Sequence, residues 1–195
     1  MMLDFYIRAL DILLALLALA ALSPILAGIA ALVGTTGRPI IFRQKRNGKN
    51  GSVFTIYKFR TMRVMEDGDK KFRQATYRDD RTTTVGSFLR HYSLDELPQL
   101  LNIVKGEMSI VGARPHALAH DRQFIDKIPD YMKRYALRPG LTGLAQIRKF
   151  RGPTDTLDKM LNRVNSDIEY IEKRSVSLYM DIIRQTAMGM YKETE

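Results

Sequence analysis

The 195-residue chain contains no cysteine and no tryptophan. Without cysteine there is no disulfide framework, no thiol nucleophile and no thiolate metal site. The missing tryptophan decides nothing. A G-x-G-x-x-G fingerprint, a Walker loop and a G-x-S-x-G elbow are also absent, which removes the commonest nucleotide-binding and serine-hydrolase signatures. No internal repeat is visible. Acidic charge is scarce: 21 Asp+Glu stand against 31 Lys+Arg, a formal net charge of +10. That surplus points to polyanionic partners, namely nucleic acid, anionic lipid or phosphorylated substrates. With 45% hydrophobic and 27% charged residues the chain is neither disordered nor low-complexity. Its length suits one domain with a sizeable core.

What the chain does have is one long apolar run. From Ile12 to Val33 there are 22 positions without a charge. A straight helix of that length reaches roughly 33 Å, the hydrocarbon thickness of a bilayer. The run is too long for a signal peptide and is preceded by Asp4, Arg8 and Asp11, so it reads as a retained membrane element. At its middle stands Ser23-Pro24, and Pro24 removes a backbone donor and kinks the helix. A kinked spanning helix and a re-entrant hairpin both fit that kink. Arg38, Arg43, Lys45, Arg46 and Lys49 place the C-terminal flank in the cytoplasm. The expected division is therefore a membrane element over 1–36 and a cytoplasmic domain over 37–195.

Beyond the run, Pro39–Arg43 and Val53–Tyr57 flank Asn47-Gly-Lys-Asn-Gly51 as a hairpin. Residues 63–84 read as a charged surface stretch with some helix. Val85–His91 and Leu94–Lys105 read as helices, the second stopped by Gly106, and 116–136 as helix broken at Pro129. Leu157, Leu161, Val164, Ile168 and Ile171 recur at helical spacing, as do Val176, Tyr179, Met180, Ile183, Ala187 and Met190. Core packing is the default for the last stripe, and a place on the bilayer surface is the sharper alternative. The fold class expected is α-rich α+β with a small β-hairpin and surface amphipathic helices.

The most informative segment is Ser93-Leu-Asp-Glu-Leu-Pro-Gln99, with Asp95 and Glu96 side by side. Its plain reading is a capping box, Ser93 with Glu96 three residues on. Its functional reading is a carboxylate kept ionised at a helix start, as a nucleophile must be. Adjacent helical residues point apart, so two such acids would divide their labour. Cations surround the pair in sequence: Lys58, Arg60, Arg90, Lys105, Arg114 and Arg138. The loops Gly112-Ala-Arg-Pro115 and Arg138-Pro139-Gly140-Leu-Thr142-Gly143 could present N–H groups and arginines to phosphate. Read plainly, they are turns with solvated basic residues. Asp67-Gly68-Asp69 matches the short DxD pattern of metal-dependent glycosyltransferases but reads better as a solvated loop. His116 and His120 stand at metal-ligand spacing, yet without Cys or an adjacent Glu a structural or substrate-contacting role fits better.

Several stretches together resemble the bacterial sugar transferases, the small monotopic polyprenyl-phosphate phosphoglycosyltransferases, over essentially the full length. They are the apolar segment with Ser23-Pro24, Phe42-Arg-Gln-Lys-Arg-Asn-Gly48, Phe54-Thr-Ile-Tyr-Lys-Phe-Arg-Thr-Met62 and Ser93-Leu-Asp-Glu-Leu-Pro-Gln-Leu-Leu-Asn102. Lys105-Gly-Glu-Met-Ser109, Gly112-Ala-Arg-Pro115, Arg138-Pro-Gly-Leu-Thr-Gly-Leu-Ala-Gln146 and Asp167-Ile-Glu-Tyr-Ile171 continue the series.

The resemblance implies that Ser23 and Pro24 break a re-entrant helix confined to one leaflet. It also implies a catalytic dyad at Asp95 and Glu96, with Asp95 as nucleophile and Mg²⁺ ligand. Arg114 and the stretch from Arg138 to Gly143 would lie in phosphate-binding loops, and Asp167 would be a further functional acid. The implied reaction moves a sugar-1-phosphate from a UDP-sugar to undecaprenyl phosphate with Mg²⁺, releasing UMP, at the cytoplasmic face of a bacterial inner membrane among its inner-leaflet lipids. A homodimer stays open.

Two departures stand out. Ala113 replaces the proline of the common Gly-Pro-Arg-Pro, and Ile147-Arg148-Lys149 replaces Val-Asn-Gly. Pro115-His-Ala-Leu-Ala-His120 and Arg151-Gly-Pro-Thr-Asp-Thr156 resemble the branch that starts exopolysaccharide repeats with a hexose-1-phosphate, glucose or galactose. Larger members add an N-terminal multispan domain, so the chain resembles the minimal catalytic unit. Two other readings compete: a non-catalytic basic membrane adaptor, and a metal-dependent glycosyltransferase that uses Asp67 and Asp69 and releases UDP. A nucleic-acid binder explains neither the apolar run nor the acidic pair.

Overall fold

A computed structural model describes residues 2–63, 79–150, 152–154 and 156–189. Asp67, Asp69 and Met190 lie outside the described residues, as does most of the 63–84 stretch. The described residues are mostly helical, with one long apolar N-terminal helix and two small two-stranded sheets.

Helix α1 runs over Met2–Thr35 and contains Pro24. By length and composition it could cross a membrane, and only 11% of its most apolar 18-residue window is buried against the rest. Leu13, Leu16, Leu17, Ile25 and Leu32 are exposed, an apolar surface that water does not tolerate over this length. The helix continues through Pro24, and a hydrogen bond shows why. Proline has no N–H for the carbonyl four residues back, Ala20, and the Ser23 hydroxyl donates to that carbonyl at 2.9 Å.

Strands β1 (Ile41–Asn47) and β2 (Val53–Phe59) pair antiparallel, Ile41 opposite Phe59 and Asn47 opposite Val53. The expected hairpin is therefore present, longer than its β-prone cores. Its turn uses left-handed backbone at Asn50 (φ 54°) and Gly51 (φ 77°), residue types that accept it. Helix α2 (Thr84–His91) starts at Thr83, whose side chain accepts from the Gly86 N–H. Helix α3 (Gln99–Lys105) ends at Gly106, φ 87°. Asn102 on α3 docks the hairpin: its side chain accepts from Tyr57 N–H at 3.1 Å and donates to Thr55 O at 2.7 Å.

Strand β3 (Ser109–Val111) pairs in parallel with β4 (Gly140–Thr142), a sheet that periodicity could not reveal because each strand has three residues. A Cβ at Gly140 would sit 2.1 Å from Gly112 N, so glycine is what lets these backbones approach. The helix expected over 116–136 shrinks to α4 (Leu118–Asp121) and a 3₁₀ turn, Tyr131–Tyr135. Asp130 enters that turn at φ 59°, which breaks helical continuity after Pro129. A short α5 (Leu144–Ile147) follows β4, and α6 (Leu157–Lys173) and α7 (Val176–Gly189) match the two amphipathic stripes. On α7 the stripe divides: Tyr179 is buried and Ile183 partly so, while Val176, Met180 and Ala187 face outward; Ile182, beside the stripe, is also buried.

Both halves of α1 pack on the same body. Ala15 joins Phe54, Ile56, Leu100, Ile103 and Met108, whereas Ile29 and Val33 join Phe59 and Leu89. Arg8 donates to Ile103 O (2.8 Å) and Val104 O (3.1 Å), placing a cation at the C-terminus of α3. Asp11 is buried and accepts from Ser109 Oγ (2.9 Å), Ile110 N–H (2.8 Å) and Tyr179 OH (2.8 Å), so one carboxylate joins α1, β3 and α7. Asp11→Ala leaves two buried donors and one partly buried donor without that acceptor and is expected to cost on the order of 3 kcal/mol. Asp11→Asn, which keeps a carbonyl acceptor, should cost less. Melting temperatures in detergent, ranked wild type, Asn, Ala, check both.

Candidate active site

The chain around the acidic pair does not form the capping box that its sequence resembles. Ser93 takes a left-handed backbone (φ 57°), its side chain makes no cap bond, and Leu94–Glu96 form a 3₁₀ turn. Pro98 has no N–H to give to the second turn, so the α-helix begins only at Gln99. This tight entry turns both acids inward, where Asp95 is 8% and Glu96 7% exposed.

Glu96 is clamped. Arg114 reaches it with both terminal nitrogens, Nη1 to Oε2 at 2.9 Å and Nη2 to Oε1, and Lys58 Nζ donates to Oε1 at 2.9 Å. Lys58 arrives there by the strand period, since it shares a face of β2 with buried Phe54 and Ile56. Burial raises the Glu96 carboxyl, but the charges and hydrogen bonds of Arg114 and Lys58 outweigh it and hold Glu96 well below its ordinary 4.5. The same pairing raises Arg114, while burial lowers Lys58.

Asp95 behaves differently. No donor among the described residues bonds its carboxylate, so both oxygens keep their lone pairs. Burial first, and the negative Glu96 second, push it up to about 6, against the pull of Lys58, Arg114 and Arg90. Adjacent acids with values driven apart suit one fixed anion and one reactive carboxylate.

The remaining candidates divide into those at the pair and those elsewhere. Lys58 and Arg114 touch Glu96, and the charge of Arg90 reaches Asp95. Arg60 lies buried at the other end of the hairpin. It donates to Val33 O, Pro39 O, Met62 O and Thr36 Oγ1, fastening the end of α1. In the loops expected to cradle phosphate, Gly112 N–H goes to Thr142 O and Gly140 N–H to Ala113 O. Those two N–H groups close the β3–β4 crossing instead of facing outward.

The rest of that loop is held in the same way. Pro139 O accepts from Ser109 N–H, Arg138 Nε donates to Gly106 O, and the Thr142 hydroxyl meets that of Thr186 at 2.7 Å. Gly143 packs so closely on the Gly112 carbonyl that a Cβ would lie 2.2 Å from its oxygen. Asp167 is buried and paired with Arg134 (2.6 Å), one side chain removed from Arg114. Ser23 and Pro24 sit in the exposed middle of α1.

A second polar cluster, which no periodicity signals, lies behind Arg114. Asp121 accepts from Tyr131 OH (2.6 Å), Tyr135 OH (2.9 Å) and Asn47 Nδ2 (2.6 Å). Arg46 donates to Pro115 O at 3.2 Å, and burial together with the charge of Arg114 pushes its own value down to about 10. His116 is buried with its ring nitrogens 2.7 Å from Arg134 Nη1 and 3.2 Å from Arg163 Nη1. Burial and the Arg134 charge hold it well below 6.5, and burial brings His120 down to about 4. Both imidazoles are thus neutral members of a packed network. Among the described residues no three metal-ligating side chains gather, so a divalent ion would find one unbonded carboxylate here, that of Asp95. Mg²⁺ is compatible with that donor set, because it takes one or two carboxylates and completes its shell with water and substrate phosphates.

A family model described as bacterial sugar transferase matches residues 2–193. A UDP-glucose:undecaprenyl-phosphate glucose-1-phosphate transferase of Escherichia coli (strain K12) is 51% identical over 177 residues, covering 90% of this chain and 38% of that protein. The chain therefore spans well under half the length of this relative. A protein of the same description from Caulobacter vibrioides (strain ATCC 19089 / CIP 103742 / CB 15) is 47% identical, with 96% of this chain and 70% of the relative covered. The exopolysaccharide production protein PSS of Rhizobium leguminosarum bv. phaseoli is 42% identical, with 93% of each covered.

Because Glu96 in the folded protein lies well below 4.5, its clamp contributes stability that is full above about pH 4.5 and is lost as pH falls through the folded value. Arg114→Met removes two charge-assisted bonds from a buried anion. It is expected to cost roughly 3 kcal/mol at pH 7 and less near pH 3, where the variant's unclamped Glu96 can protonate and shed its buried charge. Thermal unfolding of both proteins across that range measures the difference.

Proposed function

We propose that this chain, which belongs to the bacterial sugar transferase family, moves a hexose-1-phosphate from a UDP-sugar to undecaprenyl phosphate. One observation carries the reading: of two adjacent buried acids, Glu96 is neutralised by Arg114 and Lys58, and Asp95 is left unbonded among cations. The names of the relatives, glucose-1-phosphate transferases and an exopolysaccharide production protein, support glucose as the hexose and exopolysaccharide initiation as the use.

In the first step a carboxylate oxygen of Asp95 attacks the β-phosphorus of the UDP-sugar. The bond from that phosphorus to the bridging oxygen breaks, UMP leaves with the electron pair, and an aspartyl-phosphosugar remains. In the second step an oxygen of the lipid phosphate attacks the same phosphorus, the Asp95–phosphorus bond breaks, and the carboxylate is regenerated with a polyprenyl diphosphate sugar as product. Splitting the transfer lets one site serve a soluble donor and a lipid acceptor in turn. Arg90, Lys58 and Arg114 offset charge on the transferring group, and Glu96 keeps two of these cations in place. Mg²⁺ held by Asp95 and the substrate phosphates would add Lewis-acid stabilisation of the phosphoryl oxygens.

The same reading places α1 as a re-entrant helix in the inner leaflet of a bacterial cytoplasmic membrane, with the globular part on the cytoplasmic face. Ser23-Pro24 at mid-run and the packing of both halves of α1 on one body support it. The absence of cysteine makes a clean test. Single cysteines at Met2 and Ser52 should both resist an impermeant maleimide added to intact cells and both react in inside-out vesicles. Labelling from opposite sides would mean a spanning helix.

The chemical test is nucleotide release from UDP-glucose and UDP-galactose by detergent-purified protein with Mg²⁺ and undecaprenyl phosphate. UMP should appear with the wild type and vanish with Asp95→Asn, and in metal-limited assays the first step should slow about tenfold per pH unit below about pH 6 as Asp95 protonates. Release of UDP would move the chemistry to plain sugar transfer and overturn the dyad. Release of neither nucleotide, with N-acetylated donors included, would favour a non-catalytic membrane adaptor.

A further inference from the structure

The clamp on Glu96 is only as well placed as Arg114, and Arg114 stands on a loop. Its side chain is partly exposed, at 23%. Its own backbone carbonyl, however, is gripped from within by Arg134, whose Nη2 donates to Arg114 O at 3.0 Å.

Arg134 is an unusual residue to find there. Its side chain is 0% exposed, and each of its three nitrogens has a partner. Nε and Nη2 donate to Asp167 Oδ2 at 3.0 and 2.6 Å. Nη1 faces His116 Nδ1 at 2.7 Å, Tyr131 OH at 3.2 Å and Tyr135 OH at 3.4 Å. The rings of Tyr131 and Tyr135 lie 5.4 and 5.1 Å from its guanidinium carbon. Burying such an ion pair gains little stability over well-packed apolar side chains, so its presence calls for a geometric reason. Arg134 supplies one: it ties Asp167 of α6, the 3₁₀ turn Tyr131–Tyr135 and the Gly112–Pro115 loop to a single planar group. Arg46 adds a second grip on the same loop through Pro115 O.

We infer that Arg134, oriented by Asp167, is a positioning residue for the dyad: by holding the Arg114 carbonyl it sets the Arg114 fork on Glu96 and so the place of Asp95. A lysine keeps the charge opposite Asp167, but its single nitrogen cannot stand at Nε, Nη1 and Nη2 at once, so the planar lock on Asp167, His116 and Tyr131 that aims Nη2 at Arg114 O is lost.

The inference rests on the phosphoglycosyl transfer proposed above. Its test is steady-state UMP release by the full chain in detergent, with UDP-glucose, undecaprenyl phosphate and Mg²⁺, for wild type, Arg134→Lys, Arg114→Met and the double variant. Arg134→Lys is expected to lower kcat at least about tenfold with KM for UDP-glucose within about threefold, and to add less than about twofold once Arg114 is already Met. The melting temperature of Arg134→Lys should stay within a few degrees of wild type. Arg134→Gln, which keeps a planar N–H donor without the charge, runs through the same cycle in case the lysine variant does not fold. Wild-type kcat in Arg134→Lys overturns the positioning role, and so does an equal further loss in the Arg114→Met background, which would mean that Arg134 acts independently of Arg114. A wild-type chain that releases no UMP overturns the proposed function and the positioning role with it.

Discussion

The three-way contact of Glu96 with Arg114 and Lys58 is the interaction on which the site depends. Each of its members would be costly alone: a buried carboxylate or a buried lysine without a partner meets a desolvation penalty of several kcal/mol. Together they form a satisfied anion–cation cluster, and two consequences follow. Glu96 is held as an anion well below its ordinary range. Its charge and its burial then act on the neighbour, so that Asp95 becomes the titratable member of the pair. One acid is fixed as an anion, and the other is left to gain and lose its proton.

Three separate parts of the chain must meet for that to happen. Lys58 comes from a hairpin strand, Glu96 from a 3₁₀ turn opened by left-handed Ser93, and Arg114 from a loop leaving β3. The loop is held from behind by buried charge, Arg134 with Asp167 and Arg46 on Pro115 O, and in front by the Gly112–Gly140 crossing. This explains why so many charged side chains lie inside a domain of modest size. They immobilise irregular backbone that has too few ladder hydrogen bonds of its own.

The apolar helix is joined to this framework by polar ties at both ends. Asp11 and Arg8 fix its first half to β3, α7 and the end of α3, and Arg60 fixes its last turn. The region between leaves Leu16, Leu17 and Ile25 uncovered. The acidic pair carried on α3's entry turn is therefore rigidly related to the apolar helix. The proposed transfer, from a donor in water to an acceptor in a bilayer, would need such an arrangement.

Much of this was legible in the sequence where the signal is local or periodic. The uncharged run, the hairpin around Asn-Gly, α2, α6 and α7 follow from composition and spacing, and the Asp95-Glu96 pair stood out as two acids among many cations. What spacing could not tell is which partner each charge would choose. Ser93 and Glu96 spelled a capping box, yet the strained turn and Pro98 sent Glu96 to Arg114 and Lys58, 18 and 38 positions away. Arg60 and Arg138 looked like the other basic residues and turned out to bind carbonyls. Arg134, Asp121 and the two tyrosines gave no warning, since a buried polar network has no period. Local propensity and hydrophobic pattern are properties of neighbouring residues, and sequence carries them. The pairing of buried charges is decided by desolvation and distance, which exist only once the chain has closed on itself.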